Sequence, residues 1–142
     1  MHPRRSVDPV QLVLEAWSAF GSGDPDRVSA VFALDAEWIA PVDNASALRM
    51  GGVHHFVGRD AIVDFITRLF PEVFSEVTID FTAVHGCGHV VVVEETMTAT
   101  LVQGGHYRND YCFVFELEGA EITVVREYMD TRRAESWFGS GR

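Results

Sequence analysis

The spacing of apolar residues changes along the chain, and the change predicts helices first and strands afterwards. Asp8-Pro9 supplies an N-cap and a first-turn proline, and apolar residues then recur at three and four, which predicts a helix over about residues 9 to 20. Asp24-Pro25 repeats this start signal before a short second helix. A third helix begins at Gly58-Arg-Asp60, and Pro71 is expected to bend or end it.

From Val77 onward, apolar and polar residues alternate with a period of two, which is typical of half-buried strands. Glycine-containing turns divide this region into four consecutive antiparallel strands. An earlier strand is predicted over residues 37 to 42, followed by a long loop over residues 43 to 57 of the kind that forms lids or pocket walls. The order predicts one α+β domain with helices packed on one face of a curved sheet. The four strands are predicted at residues 77–83, 90–102, 107–117 and 121–130.

The long strand from Val90 to Val102 places a carboxylate, Glu95, in an otherwise apolar row that also contains Met97. Burying an ionised carboxylate without a partner costs several kcal/mol or raises its pKa. Glu95 is therefore a general acid or base, or an anchor for a polar substrate group. Two structural explanations stay open, namely a salt bridge to Arg126 and a bulge that turns Glu95 outward.

The next strand carries Asn109 and Tyr111 in a row of aromatic residues. Either side chain can donate a hydrogen bond to a ligand carbonyl or a developing oxyanion. The alternative is that Tyr111 belongs to the core, as an aromatic row usually does. Trp17 and Trp38 are likewise candidates for either the core or the wall of a pocket.

The last strand ends in a carboxylate, Asp130. If the period of two holds, one face starts apolar and ends in polar groups. The residues of this face are Ile122, Val124, Arg126, Tyr128 and Asp130. An apolar wall with a polar rim is how small-molecule pockets are built. The alternative for Asp130 is helix capping, because Thr131 and the residues after it read as the start of a helix.

The composition restricts the class of protein. A chain of 142 residues fits a single domain over residues 1–142, with flexible ends expected at 1–7 and 139–142. The formal charge of −10, with scattered Lys and Arg, argues against nucleic acid and anionic membranes as partners. No apolar run reaches the roughly 20 residues of a spanning helix, and the N-terminus lacks a secretory pattern. We expect a cytoplasmic protein.

Cysteine and histidine spacing does not favour a metal site. Cys87 and Cys112 are too far apart for a disulfide framework and are expected to be free thiols. His54-His55 lies in the long loop, and His85 and His89 straddle a turn, so neither pair has helical spacing. We predict no metal and no cofactor. His55 is a candidate for a loop-borne proton carrier at the pocket, since histidine titrates near neutrality.

Several segments resemble the SnoaL-like branch of the nuclear-transport-factor-2-like superfamily, which includes ketosteroid isomerases, polyketide cyclases and limonene-epoxide hydrolases. The resemblance implies a cone-shaped α+β fold, in which N-terminal helices pack in the concave face of a curved, mixed and mostly antiparallel sheet around a deep pocket. It also implies a homodimer, which we expect to form through the sheet face. The segments that carry the resemblance are Asp24-Pro-Asp26, Asp35-Ala-Glu-Trp38, Gly58-Arg-Asp-Ala-Ile62, Arg108-Asn-Asp-Tyr111 and Gly119 to Asp130.

The residues that define the best-known reactions of this superfamily are largely replaced. Ala40 stands where the resemblance places the isomerase base before Pro41, and Tyr111 stands near the position of an oxyanion-hole Asp. Asp130 matches the final Asp of the epoxide hydrolases, whose Arg-x-Asp element would fall near Glu95. A cyclase pattern, with a single carboxylate base, remains compatible.

The sequence thus predicts a small-molecule enzyme that uses pocket carboxylates for acid/base chemistry on an apolar substrate bearing a carbonyl or an epoxide, by cyclisation, isomerisation or hydration. Asp130 is the predicted base and Glu95 its partner. The alternatives are a non-catalytic domain that binds a small apolar ligand, and a domain used for dimerisation. The predicted substrate-binding residues are Trp17, Trp38, His55, Met97, Asn109, Tyr111, Arg126 and Tyr128.

Overall fold

A computed structural model describes residues 8–42 and 44–139. The expected flexible segment 1–7 and residues 140–142 lie outside these ranges, whereas Gly139 ends the last helix. None of the described helices is long and apolar enough to cross a membrane. In chain order the elements are α1 Pro9–Ser22, α2 Pro25–Ser29, β1 Phe32–Ile39, α3 Ala45–Arg49, β2 His55–Val57, α4 Arg59–Asp64, a π-helical turn Phe65–Leu69, α5 Phe70–Val73, β3 Phe74–Cys87, β4 Val90–Leu101, β5 His106–Glu118, β6 Glu121–Met129 and α6 Thr131–Gly139.

The first two helices begin where the sequence predicts. The Asp8 carboxylate accepts hydrogen bonds from the backbone N–H groups of Val10 and Gln11, which satisfies two donors that α1 leaves without intrahelical partners. The helix ends at Gly23, whose φ of +66° is the left-handed conformation typical of helix C-caps. Asp24 then caps α2 in the same way through the N–H of Asp26.

The third predicted helix continues past Pro71 instead of ending there. Proline lacks an N–H and its ring crowds the carbonyl one turn earlier, so a regular α-helix tolerates it poorly. The chain widens to a π-helical turn over Phe65–Leu69, directly before the proline, and the N–H of Phe70 bonds to the carbonyl of Phe65. This local change in pitch allows helical structure to extend from Arg59 to Val73.

The six strands form one sheet in the order β2-β1-β6-β5-β4-β3. Strands β3 to β6 form the predicted antiparallel meander, and β1 pairs with β6 in parallel. The mixed, mostly antiparallel sheet and the N-terminal helices confirm the predicted fold class. Helix α1 packs in the concave face, where Trp17 makes edge-to-face contacts with Phe113 and Phe115 of β5. Gly86 permits this approach, since a Cβ there would lie 2.8 Å from Val10.

The region between α2 and α4 differs from the prediction. Strand β1 begins at Phe32, five residues earlier than expected, and ends at Ile39. The segment predicted as a loop contains helix α3, which Asn44 caps through the N–H of Ala47, and the short edge strand β2. Short elements such as these carry too few residues for a recognisable period.

Strand β6 does not present the predicted face to the interior. Glu116 of β5 pairs with Val124, but the next residue, Leu117, pairs with Ile122, so Thr123 is an extra residue at a bulge. Because one inserted residue reverses the alternation, Val125 and Glu127 point inward together with Ile122. The predicted inward row of Arg126, Tyr128 and Asp130 is therefore wrong. Val125 and Met129 pair with the inward residues Phe115 and Tyr111, which places them on the inner face.

Candidate functional site

A cavity of about 430 Å³ lies between the inner face of the sheet, the C-terminal end of α1 and the helical segment from Phe65 to Pro71. Aromatic side chains dominate its walls, and its charged lining residues are all carboxylates: Glu76, Glu95 and Glu127. No Lys, Arg or His is found among the described residues that line it. The aromatic lining includes Trp17, Phe20, Trp38, Phe65, Tyr111 and Phe113.

Glu95 lies on the inner face of β4, in the apolar row that the sequence predicts. Its neighbours in the row, Val93 and Met97, are also buried, and Glu95 itself is only 3% exposed. Its Oε2 atom is buried without a hydrogen-bond partner. Burial, and secondarily the charge of Glu127, raise the pKa of Glu95 from an ordinary 4.5 to about 8. The salt bridge and the outward bulge are both ruled out by this placement, so Glu95 is a buried acid that is mostly protonated at neutral pH.

Glu127 is a second buried carboxylate, and sequence reasoning missed it. The β6 bulge turns it inward, where it is 9% exposed and accepts a hydrogen bond of 2.9 Å from the indole N–H of Trp38. Burial raises the pKa of Glu127 to about 7, while the bond from Trp38 opposes the increase. Val124 and Val125 make both faces of β6 apolar at this point, so periodicity alone cannot decide which row is inward. Trp38 and Glu127 are 89 positions apart in sequence.

The sheet register brings the two carboxylates to the same region of the cavity. Glu95 pairs with Tyr111 of β5, and Glu127 pairs with Phe113 of the same strand, two residues further on. The two glutamates are thus separated by one strand, with a backbone distance on the order of 10 Å across the sheet. The charge of Glu127 adds to burial in disfavouring the ionisation of Glu95.

Tyr111 ends a chain of hydrogen bonds that runs through the wall of the cavity. Its hydroxyl lies 2.6 Å from the hydroxyl of Tyr107, which in turn accepts a bond of 3.2 Å from the side-chain amide of Asn109. The same amide donates to the backbone carbonyl of Asp130 at 2.9 Å. Burial raises the pKa of both tyrosines, so both stay neutral and act as hydrogen-bonding groups.

Five of the sequence-predicted site residues line the cavity: Trp17, Trp38, Glu95, Met97 and Tyr111. They come from α1, β1, β4 and β5, so the concave arrangement of the sheet around α1 assembles them. The indole nitrogen of Trp17 is buried without a hydrogen-bond partner. The cavity wall therefore includes unused polar groups, among them the Trp17 N–H on α1 and one Glu95 oxygen on β4.

The other predicted site residues lie elsewhere. Asp130 is exposed and caps α6 by accepting from the N–H of Arg133 at 2.9 Å, which is the capping alternative left open by the sequence. Tyr128 and Arg126 lie on the outer face. Tyr128 is 53% exposed, and Arg126 forms an ion pair with Glu116. His55 is exposed on β2 and bonds to Glu37 at 2.9 Å.

Asn109 is fully buried but is not among the cavity-lining residues. It contacts Tyr107 rather than the cavity, and its effect on Tyr111 is indirect. The described residues contain no group of three or more His, Cys, Asp or Glu side chains suited to hold a metal ion. The arrangement provides two carboxyl groups that exchange protons near neutral pH inside an aromatic cavity, which is what general acid/base chemistry requires.

Comparison with known proteins agrees with this architecture. The family model of the SnoaL-like domain matches residues 13–125. No curated protein matches the chain in sequence. The solved structures that resemble it include an NTF2-like protein of unknown function from Burkholderia pseudomallei K96243, which is 23% identical with a TM-score of 0.79 and covers 92% of this chain and 98% of its own.

Two further structures share the fold. TerC, co-crystallised with polyporic acid, is 19% identical with a TM-score of 0.78, over 93% of this chain and 99% of its own. An LEH-like epoxide hydrolase from M. tuberculosis is 20% identical with a TM-score of 0.71, over 94% of this chain and 90% of its own. At these identities the likeness shows the fold alone, while the family match covers most of the chain. The chain therefore belongs to the SnoaL-like domain family.

Proposed function

We propose that the protein is a small-molecule enzyme in which Glu95 and Glu127 carry out acid/base chemistry on an apolar substrate. The observation that supports this most directly is the presence of two buried carboxyl groups, with pKa values of about 8 and about 7, in one aromatic cavity. Perturbed carboxyl groups in a cavity are typical of active sites. Glu127 replaces Asp130 as the proposed base, since Asp130 is exposed.

The two glutamates differ in their surroundings, and the difference suggests their roles. The Trp38 N–H stabilises the ionised form of Glu127, which therefore acts as the base. Glu95 has the higher pKa and an unpartnered oxygen, so it keeps its proton at neutral pH and acts as the acid or hydrogen-bond donor. Environments that separate the pKa values of two carboxyl groups assign them opposite roles.

This pair supports two reactions that fit a carbonyl or an epoxide. With a carbonyl substrate, Glu127 removes a proton from the carbon next to the carbonyl, and Glu95 donates its proton to the carbonyl oxygen as the enol forms. Where a double bond is conjugated with the enol, Glu127 returns its proton to the far carbon of that system while the enol oxygen gives its proton back to Glu95, and the substrate is isomerised. Where the enol carbon instead attacks a second carbonyl, the oxygen of that carbonyl takes the proton from Glu127, the enol oxygen gives its proton back to Glu95, and a ring closes. With an epoxide, Glu127 removes a proton from water, the resulting oxygen opens the ring, and Glu95 protonates the leaving oxygen. Each proton transfer contributes about 100- to 10,000-fold to the rate.

The two catalytic roles can be tested on a panel of aromatic ketones and aryl epoxides of a size that fits the cavity. Exchange of α-protons for deuterium in D2O, followed by NMR, and diol formation, followed by chromatography, report the two reactions. We expect Glu127→Gln to lower the active reaction by about 100-fold or more, and Glu95→Gln to lower it less. Glu94→Gln is the matched control, because Glu94 precedes Glu95 on β4 but is exposed on the opposite face.

Binding of ketones or epoxides with neither exchange nor hydration in the wild-type protein would contradict the enzymatic proposal. It would support the alternative of a domain that holds an apolar ligand without changing it. The unpartnered Trp17 N–H and Glu95 oxygen suit such binding as well as catalysis. The structures of this fold include TerC, which is co-crystallised with polyporic acid, and one protein described as an epoxide hydrolase.

We also propose a homodimer formed through the outer face of the sheet. Val90 and Val92 of β4 and Cys112 and Val114 of β5 are half-buried there, and Val92 pairs directly with Val114. A second copy would cover this partly apolar surface by a two-fold interface. Sedimentation equilibrium of the wild-type protein and of Val114→Glu is the test. We expect a wild-type dimer that the substitution dissociates, and a wild-type monomer at micromolar concentration would contradict the proposal.

A further inference from the structure

The two buried carboxylates of the cavity, Glu95 and Glu127, have no counter-ion among the described residues. Glu127 accepts a bond from the neutral indole of Trp38, and the Oε2 atom of Glu95 has no hydrogen-bond partner. Among the described residues, no Lys, Arg or His side chain forms an ion pair with either glutamate or lines the cavity. Buried carboxylates in proteins are normally paired with a cation or a metal, because an isolated buried charge is costly.

The remaining walls of the cavity also favour positive charge. The faces of aromatic rings carry the negative part of the ring quadrupole and attract cations, most strongly in tryptophan. Trp17 and Trp38 both contact Phe113, with ring centroids 5.0 and 5.9 Å apart, and all three rings line the cavity beside Glu127. Rings and carboxylates of this kind together resemble the cages that recognise quaternary ammonium groups.

We infer that the cavity binds a ligand in which a cationic amine is attached to an apolar body, with the charge placed between Glu95, Glu127 and the aromatic rings. The inference rests on the proposed function, because it places the ligand in the same cavity. It adds that the substrate carries a positive charge. The amine supplies the counter-ion that none of the described residues provides to Glu95 or Glu127. The charge of the ionised carboxylates repels an anionic ligand, so the cavity favours a cation over an anion.

The binding of a cation is linked to the protonation of the pair. A positive charge favours the ionised carboxylates, so the ligand displaces protons from Glu95 and Glu127, and its affinity rises with pH until both are ionised. The other titratable groups around the pair are Tyr107 and Tyr111 of β5 and Glu76 of β3 at the cavity mouth. Helices α1 and α3 and the segment from Phe65 to Pro71 contribute no titratable side chain to the lining.

Phenyltrimethylammonium and tert-butylbenzene form a suitable pair of probes, because they have the same shape and differ in one charge. Their affinities for the wild-type protein are measured by NMR titration of the tryptophan indole N–H signals. At pH 8.5 we expect the cation to bind at least about tenfold more tightly than the neutral probe. Its affinity should fall from pH 8 to pH 5.5, by up to about tenfold per pH unit for each proton taken up. Calorimetry in two buffers of different ionisation enthalpy should show proton release on binding.

Variants separate this inference from simple hydrophobic binding. Glu95→Gln with Glu127→Gln should remove both the preference for the cation and its pH dependence, whereas Glu94→Gln, which removes a charge from the outer face, should change neither. Equal affinity for the two probes in the wild-type protein, or binding without proton release, would overturn the inference independently of any variant. If α-proton exchange of neutral ketones persists in that case, the proposed enzymatic function stands and only the charge of the substrate is wrong.

Discussion

The charged side chains on the two faces of the sheet differ in their exposure and in their ionic partners. On the outer face, Arg126 pairs with Glu116, and Asp110 accepts bonds from both Arg133 and Thr96. On the inner face, Glu95 and Glu127 are buried with no cationic partner among the described residues. The outer charges are compensated and solvated, whereas the inner charges are neither.

This difference indicates what each set of charges contributes. Exposed ion pairs stabilise a protein only slightly, by about 0 to 1 kcal/mol, and are screened by salt. Uncompensated buried carboxylates lower the stability of the fold whenever they are ionised. Apolar residues at positions 95 and 127 would make a more stable protein, as the replacement of buried charges often does. The inner carboxylates are therefore better explained by ligand chemistry than by folding, which is the usual relation between active sites and stability.

The largest expected effect is a loss of stability as the pH rises. The folded-state pKa values of Glu95 and Glu127, about 8 and about 7, both exceed the ordinary value of 4.5. The folded protein therefore retains protons that the unfolded chain releases, so these groups favour folding fully below about pH 4.5 and lose that contribution up to about pH 8. We expect the free energy of unfolding from urea titrations to fall by on the order of 6 kcal/mol between pH 5 and 8.5.

Substitutions test whether Glu95 and Glu127, and not the other carboxylates, cause this dependence of stability on pH. Glu95→Gln and Glu127→Gln should each flatten the decline and should be more stable than the wild type at pH 8.5. Glu94→Gln should leave the slope unchanged, because its side chain is exposed. A decline of the same size in the double variant of Glu95 and Glu127 would show that other groups cause it.

The second effect concerns the hydrogen bond from Trp38 that favours the ionised form of Glu127. Trp38→Phe removes the N–H donor of Glu127, so the pKa of Glu127 should rise further and the fold should lose about 1 to 3 kcal/mol. Trp17→Phe makes the same chemical change at an indole with no hydrogen-bond partner. Carbon-detected NMR of the glutamate carboxyl groups should therefore show a shifted titration of Glu127 in Trp38→Phe only. Equal shifts in the two variants would contradict the assigned role of the bond.

The regular strands show how far the sequence can be interpreted without a structure. On β4 and β5 the pairing is continuous, and the alternation predicts the inward residues correctly from Val91 to Leu101 and from Tyr107 to Phe115. Glu95 is found this way because a single carboxylate interrupts an apolar row. The start of α1 is equally predictable, since Asp8 and Pro9 act locally.

The features that the sequence does not predict depend on long-range pairing. The bulge at Thr123 results from how β6 fits against β5, and no local signal marks it because Val124 and Val125 satisfy either register. That one residue decides whether Glu127 or Asp130 faces the cavity. The bond from Trp38 to Glu127 likewise requires the parallel pairing of β1 with β6, which are the first and the last strands along the chain.

A smaller effect distinguishes Asp130 as a helix cap from Asp130 as a base. Asp130→Asn keeps a good capping side chain and removes the charge, whereas Asp130→Ala removes both. We expect Asp130→Ala to lose about 1 kcal/mol of stability by urea unfolding, and Asp130→Asn to lose much less. Neither should change turnover of a substrate found with the panel of ketones and epoxides. A folded Asp130→Asn protein without activity would restore Asp130 as the base and contradict the assignment of Glu127.

The smallest effect belongs to the outer face. Arg126 and Glu116 are about one-third and two-fifths exposed as side chains, at 34% and 41%, so solvent screens their ion pair even though it raises the pKa of Arg126. A double-mutant cycle with Arg126→Gln and Glu116→Gln should give a coupling energy of about 0.2 to 1 kcal/mol, which 1 M NaCl reduces. The pH dependence of stability between pH 5 and 8.5 should be unchanged in all three variants, since the inner carboxylates are intact. A coupling energy as large as the effect of the inner pair would mean that the two faces of the sheet do not differ in the way their charges contribute.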